Sequence, residues 1–268
     1  MKKKIKLVIW PIIYLVLIIN VCISFILVFR SYYFRSIFVS GSSMEPTLHG
    51  QVGDRVDYGI IDDHESAINR IKRFQIITTY YPFPGSSDYV GGYSYGEDNV
   101  IDEKEASYKI KRVYAFPGES IRFTIDQDMY QEALRKKAAG DQWGVLAQDY
   151  AQRALKVEIR KKGSDKFVEQ NIKFKRRIDI GKIGNYEDYQ FDCDEETNEY
   201  FVMGDNYSAS SDCFSKNLPI YRDNIVGVLV AIEGTCVIDA HIDPDSTVDG
   251  TKVTYQCKQR KRHFPTYY

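Results

Sequence analysis

The sequence lacks an excess of charge of either sign, because 36 lysine and arginine residues balance 37 aspartate and glutamate residues to a net charge of −1. A nucleic-acid-binding protein needs a strongly basic surface, so nothing here indicates a nucleic-acid partner. The basic run Lys258 to His263 is too short to change that conclusion. Internal repeats are also lacking, and 268 residues suffice for one large domain or two small ones.

Histidine is scarce as well, which limits the catalysis that the chain can perform. The four histidines are His49, His64, His241 and His263. Histidine is the usual general base for a serine nucleophile, but none of the four lies beside an acidic partner in a motif. A serine nucleophile in this chain would therefore need a different base.

The chain has only one long apolar run, from Leu7 to Phe29. As a helix this run would span roughly 34 Å at ~1.5 Å per residue, which is enough to cross a bilayer. Arg, Tyr and Phe follow it, rather than the small residues of a cleavage site, so we predict an uncleaved anchor. Four lysines precede the run, against Arg30 and Arg35 after it. We therefore expect a cytoplasmic N-terminus, with the chain from about residue 31 onward outside the cell membrane.

Cysteine is infrequent but informative, because Cys22 lies in the predicted anchor and four cysteines lie beyond it. Those four are Cys193, Cys213, Cys236 and Cys257. Disulfides can form outside the cell, and four cysteines allow three pairings among which the sequence does not choose. Cys236 and Cys257 lie in neighbouring strand-like runs, so that pair is the first to expect.

Short strand-like runs dominate beyond the anchor, in keeping with 21 tyrosines. Gly, Pro, Asp or Asn bound these runs, as in an antiparallel β protein. The predicted strands are Ile76 to Tyr81, Tyr108 to Tyr114, Ser120 to Ile125, Tyr200 to Met203 and Ile225 to Glu233. By contrast, Asp126 to Ala154 has apolar residues at helical spacing, which predicts a helical insertion packed on the sheet. The Gly- and Ser-rich segment Pro84 to Asn99 predicts a surface loop.

A small, hydroxyl-rich stretch, VSGSSMEPTLHG, runs from Val39 to Gly50. It is either a turn-rich linker, which Ser, Gly and Pro favour, or the site of a serine nucleophile. A lysine can act as the base if desolvation makes it neutral near neutral pH. Most lysines lie in charged runs, whereas Lys111 lies in YKIKRVYAFPGESI, where strand alternation places Lys109 and Lys111 on one face. Alone, that pattern favours a lysine on the solvent side of a half-buried strand.

A third segment, YFVMGDNYSASSDC, combines a hydrophobic strand with a Gly-Asp-Asn turn. Together, and in this order behind an anchor, the three segments resemble bacterial type I signal peptidases. The matching motifs are Ser43 to Leu48 continuing into Gly53 to Val56, Ile110 to Glu119, and Gly204 to Asp212 followed by Asn224 to Leu229. The resemblance covers residues 1–125 and 195–235.

The resemblance implies a role for each matching residue. Ser43 would be the nucleophile and Lys111 the general base, with Ser210 hydrogen-bonding to the lysine amine and orienting it. Arg112 and Asp205 would form a structural ion pair beside the site.

Further positions follow from the same resemblance. Gly204 would leave room for the lysine. The Ser43 backbone N–H would hold the oxyanion, with help in some members from a hydroxyl two residues earlier, where this chain has Gly41 like the enzymes of Gram-positive bacteria. The residues matching the shallow pockets that admit small side chains are Ile37, Val39, Met44, Leu48 and Ile110.

Departures from the family pattern concentrate in the last motif. Tyr207 and Phe214 stand where the family usually has arginine, and Cys213 stands where it usually has serine. Asp212 then lacks its usual arginine partner, so we expect its loop to be held in another way. The insertion from Asp126 to about Lys162 is also more helical than the family's β-rich cap.

The resemblance implies a mostly β protein, in which a transmembrane helix precedes an antiparallel β catalytic domain of the signal peptidase and self-cleaving repressor type. We place the tail and anchor at residues 1–30, the catalytic domain at 31–125 and 196–268 with a C-terminal extension, and an inserted cap at 126–195. The implied activity is removal of signal peptides from exported preproteins after small-x-small motifs, by a Ser/Lys dyad without cofactor or metal. The implied partners are preproteins and the lipid bilayer, and we expect a monomer.

Other classes fit less well. Pilus-assembly relatives with this fold have lost the nucleophile or the lysine, whereas Ser43 and Lys111 both remain, although the departures near Asp212 leave an accessory factor with narrow or no activity open. Self-cleaving repressors need an N-terminal helix-turn-helix, and this chain has an anchor. An adhesion or receptor module would not require three ordered motifs.

Overall fold

The structure is a computed structural model, and it describes residues 2–52, 55–80, 108–140, 145–242 and 251–263. The helices are α1 (Lys2–Tyr33), α2 (Glu65–Ile68), α3 (Gln127–Ala138), α4 (Val145–Ala154) and α5 (Cys213–Lys216). The strands are β1 (Phe34–Phe38), β2 (Gly50–Val52), β3 (Arg55–Asp62), β4 (Ile76–Tyr80), β5 (Tyr108–Ala115), β6 (Ser120–Ile125), β7 (Leu155–Arg160), β8 (Phe167–Glu169), β9 (Gln190–Asp192), β10 (Glu199–Met203), β11 (Ile220–Tyr221), β12 (Ile225–Ile242) and β13 (Thr251–His263).

Helix α1 is the apolar helix that the sequence predicts. Within it, Trp10–Val28 has a mean hydropathy of 2.7, and none of this segment is buried inside the protein. A helix of this length and composition can cross a membrane. Strand β1 begins directly after α1, so the helix leads straight into the folded body.

The body is built on a curled antiparallel sheet in the order β1–β3–β12–β4–β5–β10–β11, with β2 beside β3 and β13 beside β12. The long strand β12 pairs with β4, β3 and β13 in turn, and its register shifts between Leu229 and Ala231 and again between Ile232 and Gly234. Such irregularities bend a strand and increase its twist. The sheet thereby curls into a half-barrel, the mostly β architecture that the sequence predicts.

A second sheet, in the order β8–β7–β6–β9, carries the two helices α3 and α4 and forms the cap. The Asp126 side chain accepts a hydrogen bond from the Met129 N–H (3.2 Å) and so caps the start of α3. The buried residues of both helices are small, among them Ala133 on α3 and Ala147 and Ala151 on α4. The predicted helical insertion is therefore confirmed as two helices packed on a sheet.

The boundary between the two sheets falls earlier than the predicted start of the cap at residue 126. Strand β6 pairs with β7 and β9 over Ser120 to Ile125, so it belongs to the cap sheet. Its side chains nevertheless share one continuous core with the main sheet, through Ile121 and Phe123. Alternation alone does not reveal which sheet a strand joins, because both sheets bury one face.

The predicted strands are otherwise confirmed within a few residues. Strand β4 is described to Tyr80, β5 extends one residue further to Ala115, and β12 continues past Glu233 to Ile242. The predicted surface loop Pro84 to Asn99 lies outside the described residues.

Cysteine pairing follows the register of β12 and β13. Cys236 is disulfide-bonded, and Cys257 stands directly opposite it in the antiparallel register. Cys22, Cys193 and Cys213 are not in a disulfide, and the latter two are buried. This arrangement agrees with the pair favoured from the sequence.

Candidate active site

The predicted nucleophile Ser43 lies in a compact turn after β1. The turn is closed by hydrogen bonds from the Glu45 N–H to the Ser42 carbonyl (3.1 Å) and from the Leu48 N–H to the Met44 carbonyl (3.0 Å). Met44 and Leu48 are completely buried. These two apolar side chains anchor the turn on both sides of its exposed portion, which leaves the Ser43 hydroxyl half-buried at the surface.

Asp57 on β3 closes the loop that carries Ser43, a role the sequence analysis missed. Its backbone carbonyl accepts from the Val39 N–H (2.9 Å), and its carboxylate accepts from the His49 N–H (2.8 Å) and from the Thr235 hydroxyl (2.6 Å). Asp57 is 2% exposed, so these bonds form away from water. Its position in the Gly-Asp-Arg-Val-Asp run beside the first motif was the available signal.

Lys111 on β5 contacts Ser43, although the two residues are 68 positions apart in the sequence. Its Nζ lies 3.0 Å from the Ser43 Oγ and also donates to the Ile110 carbonyl (3.2 Å). Strand β5 is fixed on the β4 side by pairing of Lys111 with Ile77. The lysine side chain is 2% exposed, so the solvent-facing alternative is wrong.

Burial lowers the pKa of Lys111 to about 8. Desolvation is the largest cause, because an ammonium without water is unfavourable. The Lys109 ammonium lowers the pKa further, while the carboxylates of Asp212 and Asp205 raise it in part. A lysine with this pKa is neutral in roughly a tenth of the molecules at pH 7 and in half of them at about pH 8, whereas an ordinary lysine is almost wholly protonated there, so Lys111 can serve as a general base.

Lys109 is half-buried, whereas the prediction placed it toward solvent. Burial also lowers its pKa. It lies two residues before Lys111 on the same face of β5, so its charge acts directly on the buried amine.

A buried ion pair lies on the opposite face of β5. Arg112 donates from Nε to one oxygen of Asp205 (2.7 Å) and from Nη2 to the other (2.5 Å), and both side chains are fully buried. Arg112 also donates to the Phe74 carbonyl (2.7 Å) and packs over the Phe174 ring at 3.8 Å. The Thr47 hydroxyl donates to Asp205, which links this pair to the turn of the predicted nucleophile.

These contacts are those of a serine beside a desolvated lysine, in a curled β sheet behind an apolar helix. The family described as signal peptidase, peptidase S26, matches residues 12–232. The chain belongs to this family. No curated protein matches the chain. The fold and the site can therefore be compared with what the signal peptidase family implies.

Asn206 holds the turn of the predicted nucleophile in this family member, and the sequence analysis missed it. Its backbone N–H donates to the Ser43 carbonyl (2.9 Å), and its side chain donates to the Ser42 carbonyl (3.0 Å). Asn206 is 3% exposed. Its place inside the Gly-Asp-Asn motif was the only available signal.

Gly204 makes room for the turn and for Ser210. A Cβ at Gly204 would lie 2.3 Å from the Ser43 carbonyl oxygen and 2.4 Å from the Ser210 Oγ. The prediction assigned this space to the lysine, and the three atoms nearest to such a Cβ belong to Ser43 and Ser210. The close approach requires a residue without a side chain.

Ser210 lies beside Asp212 rather than on the Lys111 amine. Its Oγ is buried and completes no hydrogen bond with a described residue. Burial raises the pKa of the Asp212 carboxyl, and Lys111 and the N–H groups of Gly204 and Ser215 oppose that change. The predicted hydrogen bond from Ser210 to the lysine is thus not formed in this structure.

Asp212 is held by backbone donors in place of the family's arginine. Its carboxylate accepts from the Gly204 N–H (3.1 Å) and from the Ser215 N–H (3.1 Å). The Asp212 N–H in turn donates to the Ser215 hydroxyl (2.8 Å), which completes a capping box at α5. These bonds hold the loop of Asp212 without the arginine, as we expected from the sequence.

Aromatic packing takes the place of the family's two arginines. The Phe214 ring stacks on Tyr186 with centroids 3.9 Å apart, and the Tyr207 hydroxyl lies 2.7 Å from that of Tyr114. The Cys213 thiol accepts a hydrogen bond from the Val202 N–H (3.3 Å). All three substitutions therefore face inward and support the site from behind.

The five residues predicted to line the substrate pockets lie together. Val39, Met44, Leu48 and Ile110 belong to a small apolar cluster separate from the main core, and Ile37 packs against it. Gly41, at the position of the second oxyanion group, has a φ of +79°, and its missing Cβ would meet no atom within 4 Å. Glycine is favoured there by its backbone conformation rather than by crowding. Within the described residues, no group of three or more His, Cys, Asp or Glu side chains is suited to a metal ion.

Proposed function

We propose that this signal peptidase family member is a serine endopeptidase in which Ser43 and Lys111 form the catalytic dyad. The observation that carries the proposal is the 3.0 Å distance between the Ser43 Oγ and the Nζ of a fully buried lysine. No histidine stands within hydrogen-bond distance of Ser43 among the described residues. A neutral amine at this distance can take the serine proton directly.

The reaction then proceeds in two balanced halves. The neutral Lys111 amine accepts the Ser43 proton while Oγ attacks the scissile carbonyl, and the resulting ammonium donates that proton to the departing amine. This leaves an acyl-enzyme ester on Ser43. A water molecule next gives a proton to Lys111 and attacks the ester, and the proton returns to Ser43 as the signal peptide acid leaves.

Substrate choice would come from the small apolar cluster beside Ser43. Met44, Leu48 and Ile110 are almost fully buried, so they would form the floor of a shallow site that suits small side chains at the end of the signal peptide. Val39 and the half-buried Ile37 belong to the same apolar floor. We therefore propose cleavage after small-x-small motifs such as Ala-x-Ala. Helix α1 would anchor the enzyme, with the nucleophile ten residues beyond its last residue Tyr33 and hence close to the membrane surface.

The test incubates the detergent-solubilised full chain with a preprotein that carries an Ala-x-Ala site. We expect cleavage at that site by the wild type and by the matched control Ser40→Ala, whose serine is exposed nearby in the same segment. Ser43→Ala and Lys111→Ala should each abolish cleavage, with folding checked by circular dichroism. Equal cleavage by Ser43→Ala would refute the dyad.

The proposed orientation has its own test. We propose that the N-terminus is cytoplasmic and that the catalytic domain and cap lie on the extracytoplasmic side of the cell membrane. Trypsin added to right-side-out vesicles should digest the cap, whose helix α3 exposes Arg135, while an N-terminal epitope stays protected. Protection of the cap in intact vesicles would reverse the proposed topology.

An accessory role in surface-protein or pilus assembly, with narrow or no activity, is the second candidate. The observation that favours it is the replacement of the family's arginines by Tyr207 and Phe214 in the loop behind the dyad. It predicts no hydrolysis of Ala-x-Ala preproteins by a folded wild-type protein. The same cleavage assay separates the two candidates.

A further inference from the structure

A cavity of about 510 Å³ adjoins the predicted nucleophile and is not part of the apolar pocket cluster. This volume is typical of ligand sites, which hold ~300–1,000 Å³. One wall is the loop from Asn206 to Ala209, and Ser42 lies at the edge next to Ser43. The cap supplies the other wall through Lys137 at the end of α3, Gln148 on α4 and the segment from Arg177 to Ile180.

The walls of this cavity are fixed by hydrogen bonds. The Arg177 N–H donates to the Asp205 carbonyl (2.8 Å), and the Tyr207 N–H donates to the Arg177 carbonyl (2.8 Å), so the cap segment is joined to the motif loop. The Gln148 side chain accepts from the Ile178 N–H (3.2 Å). Ligand sites are usually preformed in this manner.

The cavity is cationic. Lys137 is half-buried and Arg177 is exposed, and neither forms an ion pair with a carboxylate in the described part of the chain. Lys182 adds a charge at the rim, where its Nζ lies 3.5 Å from the Ser208 carbonyl. Asp179 offsets part of this charge, but its carboxylate accepts from the Gly181 N–H (2.9 Å) at the start of a 3₁₀ turn.

A substrate chain bound at Ser43 has two parts. The acyl side ends at the cleaved bond, and the departing side begins with the first residue after it. In the proposed function the acyl side places small residues over the apolar cluster of Met44, Leu48 and Ile110, and none of these residues lines the cationic cavity. The departing side must leave in another direction, and Ser42 and Asn206 form the edge of the cavity in direct contact with the turn of the nucleophile. We propose that this cavity binds the first residues of the mature protein and prefers an acidic side chain there, through Lys137 and Arg177.

This inference rests on the proposed peptidase function and adds a site for the leaving segment. Its ligand class is a carboxylate side chain on an extended peptide. The cap helices then take part in substrate choice, since Lys137 comes from α3. Binding of the leaving segment accelerates formation of the acyl-enzyme but not its hydrolysis, because that segment departs with the amine.

The test uses the detergent-solubilised full chain and peptides that share one Ala-x-Ala site. Glu, Gln or Lys is placed in turn at each of the first four positions after the cleaved bond, in a neutral background. At one or two positions we expect kcat/KM for the Glu peptide to exceed that for Gln by about 3- to 10-fold, with Lys lowest. The Glu preference should fall with added salt, since salt screens partly exposed charges.

Two variants connect the preference to the cavity. Lys137→Gln and Arg177→Gln should each reduce the Glu-to-Gln ratio, and the double variant should bring it close to one. Lys136→Gln is the matched control, because Lys136 lies on the same helix but pairs with Glu132 (3.5 Å) outside the cavity. The ratio cancels any general loss of activity or folding.

The possible results are distinct. Cleavage of all peptides with a Glu-to-Gln ratio of one at every position would overturn the inference and leave the proposed function intact. A ratio that persists in the double variant would overturn the cavity as its cause. Absence of cleavage of every peptide by the wild type would overturn the proposed function, and the leaving-segment site with it.

Discussion

Replacing Lys111 with methionine should stabilise the protein while abolishing activity, and the gain should depend on pH. The gap between an ordinary lysine pKa of ~10.4 and the value of about 8 for Lys111 corresponds to roughly 3 kcal/mol. That energy is the cost of keeping a proton on the buried amine in the folded state. Methionine has a similar length and carries no charge, so Lys111→Met removes the cost.

The direction in which stability changes with pH follows from which state, folded or unfolded, holds the Lys111 proton. Between pH 8 and ~10.4 the unfolded chain holds the Lys111 proton and the folded protein has released it, so wild-type stability rises by ~1.4 kcal/mol per pH unit. Below pH 8 both states are protonated and the full cost is present. The advantage of Lys111→Met is therefore largest below pH 8 and shrinks by roughly 2 kcal/mol by about pH 9.5. The absolute gain is smaller than the full cost, because the Asp212 carboxylate loses its cation.

The assay is thermal unfolding of the detergent-solubilised chain at about pH 6.5, 8 and 9.5. For a domain of this size, ~2 kcal/mol corresponds to about 4–8 °C in Tm, so the difference between Lys111→Met and wild type should narrow by that amount. Lys136→Met, at a half-exposed helix position away from Ser43, is the control and should give a difference independent of pH. A constant difference for Lys111→Met, or destabilisation at pH 6.5, would refute the argument that a desolvated amine faces Ser43.

Three further predictions concern the surroundings of the proposed dyad. First, kcat/KM should rise with pH through about 8 as Lys111 loses its proton; Lys109→Met should move that midpoint upward and Lys109→Arg should not, as measured by peptide hydrolysis against pH. Second, Asn206→Ala should lower kcat about 10- to 100-fold with little change in Tm, because the Ser42 carbonyl next to the proposed nucleophile loses its side-chain donor while the backbone bond to the Ser43 carbonyl remains; an unchanged kcat would contradict this. Third, Gly204→Ala should abolish hydrolysis, because its Cβ would come within 2.3 Å of the turn, whereas Gly184→Ala meets no atom within 4 Å and should be neutral in both hydrolysis and Tm.

The apolar helix and the strands could be predicted from the sequence because their signals are local. An apolar run of sufficient length forms a helix such as α1 in any context that excludes water. The alternation of side chains along β5 predicts that Lys111 and Arg112 point to opposite faces of the strand. In the structure Lys111 lies beside Ser43 and Arg112 pairs with Asp205. These properties depend on neighbours within a few residues.

The motifs could also be found from the sequence, but not the way in which they are supported. Because Phe214 replaces the family's arginine, the sequence does not indicate which group binds the Asp212 carboxylate. Only the structure shows that the N–H groups of Gly204 and Ser215 do so. Backbone donors carry no residue-type signal, so no pattern of letters could have identified them.

Tertiary structure alone decided how Ser43 and Lys111 are placed and how far water is excluded from them. Lys111 and Ser43 are 68 residues apart, and their 3.0 Å contact exists because the sheet curls and brings β5 against the turn after β1. The same packing removes water from Lys111 and half-buries Lys109, and desolvation is what lowers the pKa of the amine. Sequence determines which residues can do the chemistry, whereas burial and distance, which are properties of the folded chain, determine whether a lysine among 36 basic residues becomes a base.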